Sequence, residues 1–216
     1  VSSDAFAEEK IRTMRAFGAE VELISSPEGI TPTLIPRMIA RAKEIVAETG
    51  GFATDQMNNT DMVDGYLGMG EELAEQVDGR LDAFCTYVGT AGAFLGTTRA
   101  LRARIPGVHR VGIEPAESAV LEGRPAGTHR IEGGGIGFRP PLWSEDAADE
   151  LQSVSSEDAI AMARRAAKSE GVWGGPSTGA NLVVALRLAE RLGPGHRVAT
   201  LQVDSGLKYL GGATYR

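Results

Sequence analysis

The sequence predicts an α/β fold built on an open sheet of parallel strands. Segments with helical and strand-like apolar spacing alternate along the chain, the order that parallel strands joined by crossover helices produce. Three glycine-containing segments, residues 88–96, 174–180 and 203–206, sit where such elements meet. Ligands of open sheets bind beyond the carboxyl ends of the strands, so these segments could converge on one site. At 216 residues, 42% of them hydrophobic, the chain has ample material for a buried core.

Taken in order, Asp4 can cap a helix whose apolar positions Ile11, Met14 and Phe17 end at Gly18, and residues 20–24 alternate into a short strand. Thr31-Pro32 opens a second helix, with Leu34, Ile35, Met38, Ile39, Ala42, Ile45 and Val46 on one face and a stop at Gly50-Gly51. Thr60 begins a third, with Met62, Tyr66, Met69, Leu73 and Val77 on a stripe that tolerates internal glycines. A strand at 83–88, the glycine loop, a helix through Arg104 and a strand at 110–114 follow. Residues 115–141 are rich in Gly and Pro and have no period, so they read as an ordered functional loop or a mobile segment. Ser155-x-x-Asp158 is a capping box for a helix ending before Gly171. Leu182, Leu186, Ala189 and Leu192 mark the last long helix, and 198–203 closes as a buried strand.

Composition removes several classes of function. A net charge of −7, with no dense Lys/Arg face interleaved with aromatics, argues against nucleic acid. No apolar run reaches membrane-spanning length, and Val1-Ser2-Ser3-Asp4 lacks the features of a signal peptide, so a cytoplasmic location is expected. The lone Cys85 lies in a strand-like run, which excludes an internal disulfide and points to core packing. His109, His129 and His196 have no partner at metal-ligand spacing, so no metal site is expected.

The loop at 88–96, Val-Gly-Thr-Ala-Gly-Ala-Phe-Leu-Gly, has the anatomy of a phosphate cradle: small residues free the backbone N–H groups at the first turn of a helix. With no Lys or Arg between Arg80 and Arg99, an anion here would be held by backbone dipoles. The loop lacks the Gly-Lys-Ser/Thr ending of a nucleoside-triphosphate site. Its G-x-x-G-x-x-x-G spacing departs from the dinucleotide fingerprint, although Glu114 stands where a ribose-binding acid would sit.

Five segments in order carry a more specific resemblance. Gly89-Thr90-Ala91-Gly92-Ala93 resembles the G-T-G-G-T phosphate loop of the cysteine synthase and cystathionine β-synthase family, the fold type II enzymes that use pyridoxal 5'-phosphate. Gln56-Met57-Asn58-Asn59 resembles that family's Q-x-x-N segment, and residues 133–140 its G-I-G-x-G-F-x-P loop. Gly175-Pro176-Ser177-Thr178-Gly179-Ala180 resembles its G-x-S-S/A-G segment, and residues 204–210 its closing D-S-G-x-R/K-Y-L. Glu114-Pro115 matches the family's E-P after the same strand, which removes most support for a dinucleotide.

The resemblance implies a three-layer, open, twisted, mostly parallel sheet of tryptophan synthase β type, with residues 1–54 part of a smaller N-terminal domain and 55–216 the larger cofactor-binding domain. It implies that Gly89, Thr90, Ala91, Gly92 and Ala93 hold the cofactor phosphate, with the Thr90 hydroxyl an extra donor; Ala93 replaces the family's threonine and removes one hydrogen bond. Ser177 would hydrogen-bond the pyridine nitrogen, its alternative being a helix N-cap. Asp204 and Ser205 would lie near the ring, while Gln56 and the backbone at Gly133, Gly135 and Gly137 would meet the amino-acid substrate.

The family also requires a Schiff-base lysine in an S-x-K-D/E-R context followed by T-S-G-N-T, and neither motif occurs here. The lysines are Lys10, Lys43 and Lys168, which are expected on solvent-facing helix positions, and Lys208 in the closing motif; no catalytic residue is therefore assigned within this chain. The sequence is read as an N-terminally incomplete record of an enzyme, inactive alone. The reaction implied is β-replacement on an activated serine, O-acetylserine plus sulfide giving cysteine, in a homodimer. Cystathionine β-synthase and serine/threonine dehydratase share most of the motifs, and a lysine-free, non-catalytic binding or interaction protein of the same fold is the alternative of another class.

Overall fold

The computed structural model describes residues 1–216. It opens with two short parallel strands, β1 (Ser2–Ser3) and β2 (Leu23–Ile24), joined through helix α1 (Glu8–Ala16). Asp4 does not cap α1: the N-cap is Ala7, and Asp4 instead accepts hydrogen bonds from the Ser26 N–H at 2.6 Å and the Ser25 hydroxyl at 2.8 Å. No side chain caps α1; the N–H of its N-cap residue, Ala7, donates to the carboxylate of Glu132, a residue remote in sequence. Helix α2 (Leu34–Thr49) ends as expected on Gly50, in the left-handed region at φ 69° where glycine carries no Cβ penalty. Of its apolar face only Leu34 is fully buried.

The third helix is two. Helix α3 (Asp61–Gly65) and helix α4 (Leu67–Gln76) break at Tyr66. Two glycines explain how closely this pair lies on helix α5 (Gly92–Arg104): a Cβ on Gly70 would sit 2.3 Å from the Thr97 carbonyl oxygen, and one on Gly96 would sit 2.2 Å from that of Val63. Strand β3 (Ala83–Tyr87) precedes α5, and strand β4 (His109–Pro115) follows it. Between 116 and 149 the chain forms only a single 3-10 turn and one isolated bridge, His129 to Ile30.

Strand β5 (Glu150–Val154) has no counterpart in the sequence-based expectation. It is an edge strand with only Val154 buried, and its polar residues are spent on neighbours: Glu150 bonds His109 and Arg191. Helix α6 (Ser156–Glu170) begins at the expected capping box, where the Ser155 hydroxyl accepts from the Asp158 N–H at 3.1 Å, and stops on left-handed Gly171. Helix α7 (Pro176–Leu192) leads to strand β6 (Val198–Thr200), which is shorter than expected and half-buried. It lies at the open edge of the sheet, where one flank lacks a neighbouring strand.

All four strands of the main sheet run parallel in the order β5-β4-β3-β6. Strand β3 alternates Ala83, Cys85 and Tyr87 toward a core completed by Val184 and Leu188 of α7, with Phe84 toward Leu101 and Ala74 on the other face. The result is helix, sheet, helix in three layers. Burying a side chain such as Phe84 or Leu188, both 0% exposed, contributes about 1.5–3 kcal/mol each. Cys85 is fully buried as expected, and burial pushes its thiol up to about 12. No helix is long and apolar enough to cross a membrane.

From β3 the chain moves outward to β4 and β5, then returns to β6 on the opposite side of β3. The sheet's switch point therefore lies between β3 and β6, where the loops that follow them diverge. Asn181 of α7, 0% exposed, secures this point. Its Oδ1 accepts from the Tyr87 N–H at 2.7 Å, and its Nδ2 donates to the Leu201 carbonyl at 2.9 Å and to Thr86 Oγ1 at 3.3 Å. Asn181→Leu keeps the branched outline of the side chain, though it is bulkier, and leaves the buried Tyr87 N–H and the Leu201 carbonyl without their partner, so urea unfolding should show a loss of about 3 kcal/mol; a loss below about 1 kcal/mol would contradict this role.

His129 gives a pH dependence of known sign. Burial holds its pKa below 6.5, outweighing the Gly135 carbonyl and Glu117, which act the other way. Its Nε2 faces the Gly135 carbonyl at 2.7 Å, and its Nδ1 accepts from the Ile131 N–H at 3.3 Å. As pH falls below 6.5 the unfolded chain protonates first, so this residue's stability contribution is full above that pH and declines below it. Between about pH 7 and pH 5, His129→Gln should flatten the acid loss measured by thermal or urea unfolding; an unchanged slope counts against the assignment.

Candidate cofactor site

At the switch point lies a cavity of about 300 Å³. Its lining includes Thr86 and Tyr87 at the end of β3 and residues 88–94 after it, Leu201 and Val203 after β6, Gln56, Met57 and Met62 from the preceding segment, and Gly133, Gly134 and Ile136 from the glycine loop. None of the lining residues is charged.

The polar character of the cavity comes from backbone. Strand β3 ends at Tyr87, Val88 still donates to the Ile113 carbonyl at 2.9 Å, and α5 begins at Gly92. The N–H groups of residues 89–91 donate to no acceptor in the chain, and those of 92–94 belong to the first helical turn, which has no intrahelical partners. No side chain caps this end. The free donors and the positive end of α5 face the same cavity, which suits a phosphate monoester.

Ala91 achieves this geometry under strain. It is the N-cap of α5 in the left-handed region, φ 76°, where the resembling motif has glycine. A non-glycine residue there costs about 1–2 kcal/mol, and the Ala91 position was the signal in the motif that sequence reading passed over.

Two glycine segments interlock behind the loop. A Cβ on Gly89 would fall 2.6 Å from the Gly133 carbonyl oxygen, and one on Gly134 would fall 2.3 Å from the Val88 carbonyl oxygen. The Gly135 N–H donates to that same Val88 carbonyl at 3.2 Å. Ser177 lies beneath, 2% exposed, with its Oγ 3.6 Å from where a side chain on Gly133 would begin. The N-cap of α7 is Gly175 and no side chain caps that helix, so the Ser177 hydroxyl is not spent as a cap.

The structure thus brings Gln56, Gly89, Thr90, Ala91, Gly92, Ala93 and Gly133 to one cavity, with Ser177 directly behind Gly133. Thr90 turns its hydroxyl to the Met62 sulfur at 3.4 Å. Gly135 and Gly137 do not line the cavity; they pack against Pro115 and His129, and against Pro32, at φ 62° and 82°. Asp204 and Ser205 are also set back from it. Asp204 Oδ1 accepts from the Gly175 N–H at 2.8 Å, and the Ser205 hydroxyl accepts from the Leu207 N–H at 3.3 Å, capping a short 3-10 turn. Their side chains hold the turn before Ser177 and the closing turn. Glu114 is committed elsewhere too: it accepts from the Leu121 and Glu122 N–H groups, and burial raises its pKa. Lys43, Lys168 and Lys208 are exposed, whereas Lys10, expected at a solvent-facing position, is half-buried.

Comparison with known proteins agrees with this geometry. The cysteine synthase of Staphylococcus aureus (strain Mu50) is 34% identical over 214 residues, covering 98% of this chain and 67% of that protein. The probable cysteine synthase of Bacillus subtilis (strain 168) is 35% identical, covering 97% and 68%. Among solved structures, O-acetyl serine sulfhydrylase isoform 3 of Entamoeba histolytica superimposes with a TM-score of 0.86 at 31% identity, over 99% of this chain and 63% of that one. The O-acetylserine dependent cystathionine beta-synthase of Helicobacter pylori gives 0.89 at 33%, over 99% and 69%. The chain spans about two thirds of the length of these relatives. Residues 1–204 match the family described as "Pyridoxal-phosphate dependent enzyme", and with its unpartnered loop amides and interlocked glycines the chain belongs to that family.

Proposed function

We propose that this chain is the cofactor-holding part of a cysteine synthase-type enzyme, one that replaces the β-substituent of an activated serine such as O-acetylserine with sulfide. The observation that carries the reading is the row of unpartnered N–H groups at residues 89–94, facing an uncharged cavity at the sheet's switch point. Identity of 34% to a cysteine synthase supports the choice of reaction.

In this reading the amides of Gly89 to Ala93 hold the phosphate and the helix α5 dipole adds to their field. The Ser177 hydroxyl meets the pyridine nitrogen. A neutral hydroxyl does not favour a protonated ring as a carboxylate would, which suits elimination and replacement at the β-carbon. Gln56, with the backbone at Gly133, meets the amino-acid substrate. When bound, pyridoxal phosphate supplies the electron-withdrawing ring that labilises bonds at the substrate's α-carbon. No lysine lines the cavity, so we assign the covalent attachment of the cofactor to a residue outside positions 1–216 and expect these residues alone to bind without turning over. The division into a smaller unit, 1–54, and a cofactor-binding unit, 55–216, the homodimeric state and the cytoplasmic location belong to the same proposal.

The full-length protein should release cysteine from O-acetylserine and sulfide, and product analysis with serine and homocysteine in their place separates the related reactions. No product from any pair would overturn the reading. Gly89→Ala, which drives a methyl into the Gly133 carbonyl, should raise the dissociation constant for pyridoxal phosphate at least about tenfold, measured by equilibrium dialysis. Ala91→Gly relieves the left-handed strain and should stabilise the protein by about 1 kcal/mol in thermal unfolding, with cofactor binding kept.

A further inference from the structure

Behind the cofactor cavity, Lys10 of α1 occupies the centre of a polar cluster that the reaction does not explain. Its Nζ donates to Glu132 Oε2 at 2.8 Å and to the Tyr209 hydroxyl at 2.7 Å, stands 3.9 Å from Asp204 Oδ2, and lies 4.5 Å from the centroid of the Tyr209 ring. The Tyr209 hydroxyl in turn donates to Asp204 Oδ2 at 2.5 Å, and Asp204 Oδ1 accepts from the Gly175 N–H at 2.8 Å. Tyr209 is 2% exposed and lies directly on Gly175, where a Cβ would fall 2.2 Å from its ring.

Each end of this cluster adjoins a segment of the cofactor site. Glu132 immediately precedes Gly133, the residue beside Ser177 Oγ. Gly175 stands two positions before Ser177, at the N-cap of α7. Lys10 is the cation among Glu132 and Asp204, and removing it would leave two carboxylates of like charge and a tyrosine hydroxyl without its donor.

We propose that Lys10 is a positioning residue for the cofactor: through Tyr209 and Asp204 it sets the Gly175 to Ser177 turn, and through Glu132 it sets the Gly133 loop, so that helix α1 determines how the Ser177 hydroxyl meets the pyridine nitrogen. This rests on the assignment of Ser177 to that nitrogen. Lys10 touches neither cofactor nor substrate.

The test uses the full-length, cofactor-loaded protein and its variants Lys10→Met, Tyr209→Phe, Lys10→Arg and the Lys10→Met/Tyr209→Phe double. Three quantities are read: the pyridoxal phosphate dissociation constant, the position of the bound cofactor's visible absorption band, and hydrogen exchange of a peptide containing Gly175. Lys10→Met and Tyr209→Phe should each weaken binding about tenfold, shift the band and speed exchange. The double variant should do little more than either single one, and Lys10→Arg should restore most of the effect. A folded Lys10→Met protein with the wild-type band, affinity and exchange overturns the proposal. Should Lys10→Met fail to fold, Tyr209→Phe, which keeps the ring on Gly175, decides by the same readouts. If the wild-type protein binds no pyridoxal phosphate, the functional reading fails, while exchange at Gly175 still reports whether Lys10 holds the turn.

Discussion

Strand β3 is buried on both faces, so its backbone must find partners where water does not reach, and on its β6 flank the pairing stops at Cys85 and Thr200, short of the end of β3. Asn181 supplies what is missing. One side-chain amide reaches the last N–H of β3 and the first carbonyl after β6, holding the two strands together at the point where their loops part. The cavity exists because the loops part, and it keeps its shape because Asn181 lets the strands go no further.

The same economy of backbone runs through the site. The cavity wall has no charged side chain, so what it offers an anion is a set of N–H groups whose direction depends on the backbone angles of a few residues. Those angles are kept by close contacts that admit no side chain: Gly89 against the Gly133 carbonyl, and Gly134 against that of Val88. Ala91 is the exception, holding a left-handed conformation without glycine's freedom. Strain at such a residue persists only when its surroundings over-determine it, and Ala91 is buried at the start of α5 in one core cluster with Val88, Phe94 and Trp143.

A second polar system lies behind the first. The Lys10, Glu132, Tyr209 and Asp204 cluster joins the beginning of the chain, the glycine loop, the turn before Ser177 and the closing turn. Lys10, Glu132 and the Asp204–Tyr209 pair are remote from one another in sequence and meet only after folding. They show why the closing Asp-Ser-Gly segment belongs with the site although its side chains do not line the cavity: Asp204 acts on Gly175, and Ser205 forms the turn that presents Tyr209.

Much of this protein was legible without a structure, for physical reasons that can be named. Capping at Ser155 and the stops at Gly50 and Gly171 are local events, decided within a few residues and therefore readable from them. The glycine loop at 89–93 was readable because a tight strand-to-helix turn with free backbone N–H groups needs small residues in a fixed order. Strand β5 was not, because an edge strand pairs by backbone and its Glu150 and Gln152 carry no apolar alternation. Asp4 failed as a cap because α1 starts later, with Ala7 as its N-cap, and the Asp4 carboxylate is hydrogen-bonded to Ser25 and Ser26 across the short parallel strand pair. Lys10 looked like an ordinary surface lysine, and Asn181 carried no sequence signal, until the strands and turns they serve were in position. The sequence by itself determined the fold class, the order of its principal elements and the glycine loop that opens α5. Only the tertiary structure decided which polar groups face that loop and which hold it from behind, because hydrogen bonds between distant residues leave no periodic trace along the chain.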